Sequence, residues 1–201
     1  MLAAALGVDA LGLVAEMPSG PGPIPDRRIS AIARNIPPPI APVLLTSRQT
    51  TADILDHVRQ TGVSTVQIVR HVDPSTHQRL AHEAPWLRII QVIHVEDGAA
   101  LEMAEAYSHS AHALLLDSGR PAQEMLGGVG RTHDWRLSRQ IVQASPIAVF
   151  LAGGLNPGNV GEAIRTVRPF GVDVCSGLRS DGELDEAKLL AFTIAVRVAL
   201  I

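Results

Sequence analysis

Apolar and polar positions along this chain alternate in a regular beat of short apolar runs and longer amphipathic stretches. Residues 9–14, 40–45, 65–69, 87–95, 113–117, 147–152 and 172–175 are apolar runs with the length and aliphatic character of buried strands. The stretches between them predict helices. Residues 26–36 place Ile29, Ile32, Ala33 and Ile36 on one face, and Pro37-Pro38-Pro39 ends that helix. Further helices are predicted over 51–59 behind a Thr50 or Thr51 cap, 74–83, 97–107, 134–143 and 157–167. A last one runs from the Asp185 cap to the end. The Pro/Gly-rich stretch at 18–23 can only be loop, and residues 1–6 read as a short helix stopped by Gly7.

Strands that alternate with helices in this way imply a parallel sheet with helices packed outside it. The count is seven strands, preceded by a helix with no strand of its own. We therefore expect one domain over residues 1–201, a (β/α)8 TIM-barrel type with the first strand missing from this chain. The alternative is an open doubly wound sheet, but no Gly-x-Gly-x-x-Gly follows an early strand.

Composition narrows the chemistry. Aromatic residues are only 3% against 46% hydrophobic, so the core must be aliphatic. A net charge of −3 provides no basic field for nucleic acid. The one cysteine excludes an internal disulfide and fits a reducing, cytoplasmic setting. No apolar run reaches membrane-spanning length, and no signal-peptide pattern opens the chain. The eight histidines form no metal-ligand spacing, so neither a metal nor a cofactor is expected.

Three stretches carry candidate chemistry. Leu114-Leu115-Leu116-Asp117 is a strand ending in a carboxylate, the position at the mouth of a parallel sheet or barrel where reactions take place. A loop with Gly127, Gly128 and Gly130 follows it and leads to Thr132-His133-Asp134-Trp135. Leu151-Ala152-Gly153-Gly154-Leu155-Asn156-Pro157 ends a strand in two glycines, with Asn156 a suitable N-cap and Pro157 a suitable first helical residue. Val172-Asp173-Val174-Cys175-Ser176-Gly177 ends the last strand in another small-residue turn. In barrels, the loops after the last two strands often build a phosphate site from backbone N–H groups. The ordered set therefore points to a phosphorylated ligand.

These same motifs, with Arg168-Pro169-Phe170-Gly171 before the last strand, resemble the phosphoribosylanthranilate isomerase family of tryptophan biosynthesis. The resemblance is strong from Leu114 onward and colinear from Gly7. It implies an Amadori rearrangement of N-(5-phosphoribosyl)anthranilate to the carboxyphenylamino-deoxyribulose phosphate. It implies Asp117 as general acid, with its pKa raised by apolar surroundings. It also implies phosphate or substrate binding at Gly153, Gly154, Ser176 and Gly177, with Asp173 near the substrate and Gly128 and Gly130 in the glycine loop.

The chain departs from the family pattern in three ways. The family's base is a cysteine ending the first strand, and this chain begins after that point. The usual arginine after the second strand aligns with Gly20–Ile24, which carries no cation, and the usual Phe and Lys are replaced by His133 and Gln91. Substitute bases are His94, whose unperturbed pKa is suitable, and Cys175, whose strand neighbours the absent one. Three readings follow: an isomerase, a phosphosugar binder that moves no proton, and a barrel completed by a second copy or by a strand-donating partner.

Overall fold

The computed structural model describes residues 2–18, 22–119 and 132–199. Seven strands, β1 (Ala10–Val14), β2 (Ala41–Thr46), β3 (Thr65–Ile68), β4 (Arg88–His94), β5 (Ala113–Asp117), β6 (Ala148–Leu151) and β7 (Gly171–Val172), pair in sequential order. Every pairing between neighbours is parallel. The connections contain α2 (Asp26–Ala33), α3 (Thr51–Thr61), α4 (Pro74–Glu83), α5 (Ala99–Ser108), α6 (Trp135–Ala144) and α7 (Val160–Val167). A short α1 (Leu2–Ala5) precedes the sheet and α8 (Glu186–Ala199) follows it. This is a (β/α)8-type barrel with seven strands among the described residues.

Two apolar layers follow from the alternation of side chains along each strand. Leu114 and Leu116 of β5, Ile89 and Ile93 of β4 and Leu44 of β2 are buried against the helices in the large outer core. Leu115, Val92, Val69 and Ala152 form a small inner cluster, with Met17, Leu45, Ile90 and Phe150 packed against it. Continuing the same alternation to the strand ends puts His94 and Asp117 on the inner side, paired in register.

Local chemistry accounts for the element ends. The Thr50 side chain accepts from the Asp53 N–H at the start of α3, and Gly62 closes that helix with a left-handed φ of 70°. Two expectations need correction. The helix expected from Pro157 begins only at Val160, because the Asn156 side chain accepts from Gly158 N–H in a tight turn and Asn159 becomes the cap residue. The last strand is two residues long instead of four: it pairs only at Phe150↔Gly171 and Leu151↔Val172, then turns into a 3-10 segment at Ser176–Leu178. Beyond it, a small antiparallel pair, β8 (Arg179–Ser180) and β9 (Glu183–Leu184), precedes α8. Among the described residues, no helix is long and apolar enough to cross a membrane.

Candidate active site

A small cavity opens at the carboxyl ends of β5, β6 and β7. Asp117, Ala152, Gly153, Gly154, Leu155, Asp173, Val174, Cys175 and Ser176 line it, around a free volume of about 40 Å³. Asp117 comes from the end of β5, where the three preceding leucines are buried. Its carboxyl accepts from Ser118 N–H at 2.7 Å. Desolvation raises its pKa, against the hydrogen bonds from Ser118, which lower it. Asp173 stands across the cavity after β7. Desolvation, and then the Asp117 charge, push it up to about 6. Asp173 is an exposed residue by its accessible surface, so solvent screens part of this push. Two carboxyls facing one cavity resist ionising together.

Between these carboxyls lie the two glycine turns. Gly153 and Gly154 both have left-handed backbones, with φ of 81° and 64°. A Cβ on Gly153 would meet Ser118 N at 2.9 Å and His133 Nδ1 at 3.0 Å, so the turn is pressed against the entry to α6. Among the described residues, the N–H groups of Gly153, Gly154, Ser176 and Gly177 donate to no backbone acceptor. Asn159 Nδ2 donates to the Gly154 carbonyl at 3.0 Å, while its Oδ1 accepts from Asn156 N–H at 2.8 Å. That pair pins the first turn in shape. Gly128 and Gly130 lie outside the described residues.

The other candidates are placed less centrally. Cys175 lines the cavity, whereas His94 does not. His94 is 2% exposed; its Nε2–H donates to the Val69 carbonyl at 2.9 Å, and its Nδ1 has no partner among the described residues. Burial lowers its pKa, so it rests as neutral imidazole. Gln91 faces the helices: its side-chain amide donates to the Ile68 carbonyl and its oxygen accepts from His77 Nε2 at 3.0 Å. His133 Nε2 meets Ser138 Oγ at 2.7 Å, and burial lowers its pKa to about 4.

Sequence reading passed over a second, larger cavity of about 340 Å³ at the ends of β1 and β2, lined by Glu16, Met17, Asp26, Thr46, Arg48 and His57 among others. Several of its polar groups pair with one another. Thr46 Oγ1 and Asp26 Oδ1 flank the buried His57 ring at 2.9 and 3.1 Å, and Arg48 sits 3.8 Å from Asp26 and 3.7 Å from Asp56. The signal available for it was Arg48, a lone cation just past a strand. Among the described residues, the smaller cavity brings together two carboxyls and amides with no backbone acceptor, the unsatisfied chemistry expected of an active site.

Comparison with known proteins identifies the family. A family model described as N-(5'phosphoribosyl)anthranilate (PRA) isomerase matches residues 26–194. An N-(5'-phosphoribosyl)anthranilate isomerase of Methanocella arvoryzae is 36% identical over 193 residues, covering 96% of this chain and 89% of that protein. The crystal structure of phosphoribosyl anthranilate isomerase from Thermotoga maritima superposes with a TM-score of 0.82 at 28% identity, covering 98% of this chain and 92% of the other. A structure of the same enzyme family in complex with reduced 1-(o-carboxyphenylamino)-1-deoxyribulose 5-phosphate superposes with a TM-score of 0.79 at 26% identity, over 98% and 91% of the two chains. This chain belongs to the N-(5'-phosphoribosyl)anthranilate isomerase family.

Proposed function

We propose that this chain catalyses the Amadori rearrangement of N-(5'-phosphoribosyl)anthranilate to 1-(o-carboxyphenylamino)-1-deoxyribulose 5-phosphate. The observation that carries the reading is the convergence of Asp117, the Gly153-Gly154 turn and Ser176 on one cavity at the carboxyl ends of the strands. The reaction needs a proton delivered to the ribose ring oxygen and a proton removed from carbon 2′. Asp117 is the donor in this reading. Burial keeps its carboxyl protonated further up the pH scale than a free aspartate, and a protonated carboxyl can open the ring. The amides of Gly153, Gly154, Ser176 and Gly177, which donate to no backbone acceptor among the described residues, hold the phosphate in this reading, with Gly153 and Gly154 in the left-handed backbone that glycine adopts at little cost.

The substrate is a small phosphorylated sugar, and the single cysteine agrees with work in the reducing cytosol. The unpaired outer edges of β1 and β7, among the described residues, support an assembly in which a further strand or a second copy covers that opening. The decisive experiment is steady-state turnover of phosphoribosyl-anthranilate by the chain and by Asp117→Asn. We expect turnover by the first and a loss of about 100-fold or more in kcat for the second. Turnover equal in both removes Asp117 as the acid. A chain that binds the reduced product analogue but turns nothing over is the phosphosugar binder instead.

A further inference from the structure

We propose that the outer face of α8 is a self-association surface, on which a second copy of this chain lays its own α8 in antiparallel register. α8 (Glu186–Ala199) is apolar on two opposite sides. Its inner side belongs to the core: Leu189 and Phe192 are buried, with Val196 and Ala199 packed against the same cluster. Its outer side carries Leu190, Ile194 and Val198 at 46%, 51% and 63% exposure, four residues apart and so along one stripe. Ala187 and Ala191, both exposed, widen that stripe on one flank. Among the described residues six large hydrophobic side chains are exposed, and half of them stand on this one helix.

The other outer helices are built differently. α7 turns Glu162 and Arg165 to solvent, and α3 turns Asp53, Asp56 and Arg59 outward. A helix that is apolar all round is normally covered on every side. Two flanks of α8 have neighbours. A Cβ on Gly161 of α7 would meet the Ala195 carbonyl and the Ala199 Cβ at 3.9 Å, and Gly7 lies against the Arg197 guanidinium. By helical geometry the stripe runs between these two contacts, on the side away from the core. It is also apart from the chemistry, since no residue of α8 lines the cavity at Asp117.

Self-complementarity selects a second copy as the occupant. Glu186 and Arg197, both exposed, are eleven residues apart in the chain. That is about three turns, so both stand on the same edge of the stripe. A twofold axis passing at the level of Phe192, perpendicular to α8, sets Leu190 of each copy opposite Ile194 of the other. In that register Glu186 lies about 9 Å to one side of the axis and Arg197 about 7.5 Å to the other. Each glutamate therefore comes level with the second copy's arginine, to within about 2 Å along the helix. The pair joins an apolar centre to its own image and puts two acid–base contacts at the rim. A seam one helix wide buries less than the roughly 1,200–2,000 Å² of a standard interface, so the dimer is a weak one, with Kd of about 10–100 μM.

The test is sedimentation equilibrium of the full chain over about 5–500 μM, a range that brackets this Kd. Circular dichroism shows whether each variant is folded. We expect a reversible monomer–dimer equilibrium for the parent. Ile194→Glu should stay monomeric at the highest concentration, a loss of at least about 30-fold in affinity. Glu186→Arg and Arg197→Glu should each weaken the dimer about 10-fold, because each sets like charges together at both ends of the rim. The two reversals in one chain should restore it to within about 3-fold of the parent. A parent that stays monomeric throughout overturns the proposal. So does a dimer that Ile194→Glu leaves intact, since the second copy would then sit elsewhere, such as on the β1–β7 opening. A double reversal no tighter than either single one overturns it too, because the helices would then not meet in this antiparallel register. Should Ile194→Glu fail to fold, the paired reversals on exposed positions decide.

Discussion

Gly177 packs so closely on Leu155 that a Cβ added to it would lie 1.9 Å from the Leu155 carbonyl oxygen and 3.1 Å from the Asn156 Cβ. The two late turns of the barrel are therefore in backbone contact. This brings the turn after β7 against the segment that follows Gly153 and Gly154, and Gly153, Gly154 and Ser176 all line the cavity.

Gly177→Ala should push the turns apart, because the atom it meets is backbone and cannot swing away. We expect a loss of about 1–3 kcal/mol in urea unfolding and at least a 10-fold weaker affinity for sugar phosphates. Gly98→Ala is the matched control: a Cβ there meets nothing within 4 Å, and its stability should stay within about 0.5 kcal/mol of the parent.

Gly154→Asp should abolish sugar-phosphate binding while the protein remains folded. Gly154 has a left-handed φ of 64°, which aspartate tolerates better than most residues. The added carboxylate would stand where the phosphate charge is to be held. Titration calorimetry with ribose 5-phosphate reads the effect, and unchanged affinity would move the anion to another turn.

The sequence announces most of this frame and less of the site. Ala113–Asp117 and Pro74–Glu83 form over the predicted residues, because uninterrupted apolar runs and a proline at the first helical turn are local signals. The start of α7 was misplaced because Asn156 and Asn159 are both good caps. Which one wins depends on the Gly154 carbonyl and Asn156 N–H that bind the Asn159 side chain, hydrogen bonds within one loop that apolar periodicity does not show. The β8–β9 pair was missed although Asp181-Gly182 carries a hairpin signal, with φ of 51° and 84°; strands of two residues show no alternation to read. Asp117 was legible as a strand-ending carboxylate. That Asp173 faces it follows only from a sheet curled enough to bring β5 and β7 onto one cavity. His94 was suggested by its intrinsic pKa, yet its Nε2 is committed to the Val69 carbonyl, which spacing along the chain does not reveal.

Asp173 should cost stability at neutral pH. Its folded pKa of about 6 lies above the value of 3.8 for the unfolded chain, so the folded state binds the extra proton between those values. Its contribution is therefore favourable below about pH 4 and is lost as pH rises through 6. Asp173→Asn should raise Tm at pH 7.5, and the advantage over the parent should vanish near pH 4. A difference in Tm that is flat across this range would mean that the carboxyl titrates normally.

His133 works in the opposite direction. Burial lowers its pKa from 6.5 to about 4, so the unfolded chain takes up the proton first and acidification through this interval favours unfolding. With the ring partly screened by solvent, the loss at pH 5 relative to pH 7.5 should be about 1–2 kcal/mol from this residue. His133→Phe removes that linkage. It also strips the buried Ser138 hydroxyl of its partner, but that penalty is independent of pH. The diagnostic is thus the slope and not the absolute stability. Urea unfolding at pH 7.5, 6 and 5 should show the variant falling less steeply than the parent, with His77 and His94, buried in both proteins, cancelling from the difference. Parallel slopes would show that His133 takes up its proton as readily folded as unfolded.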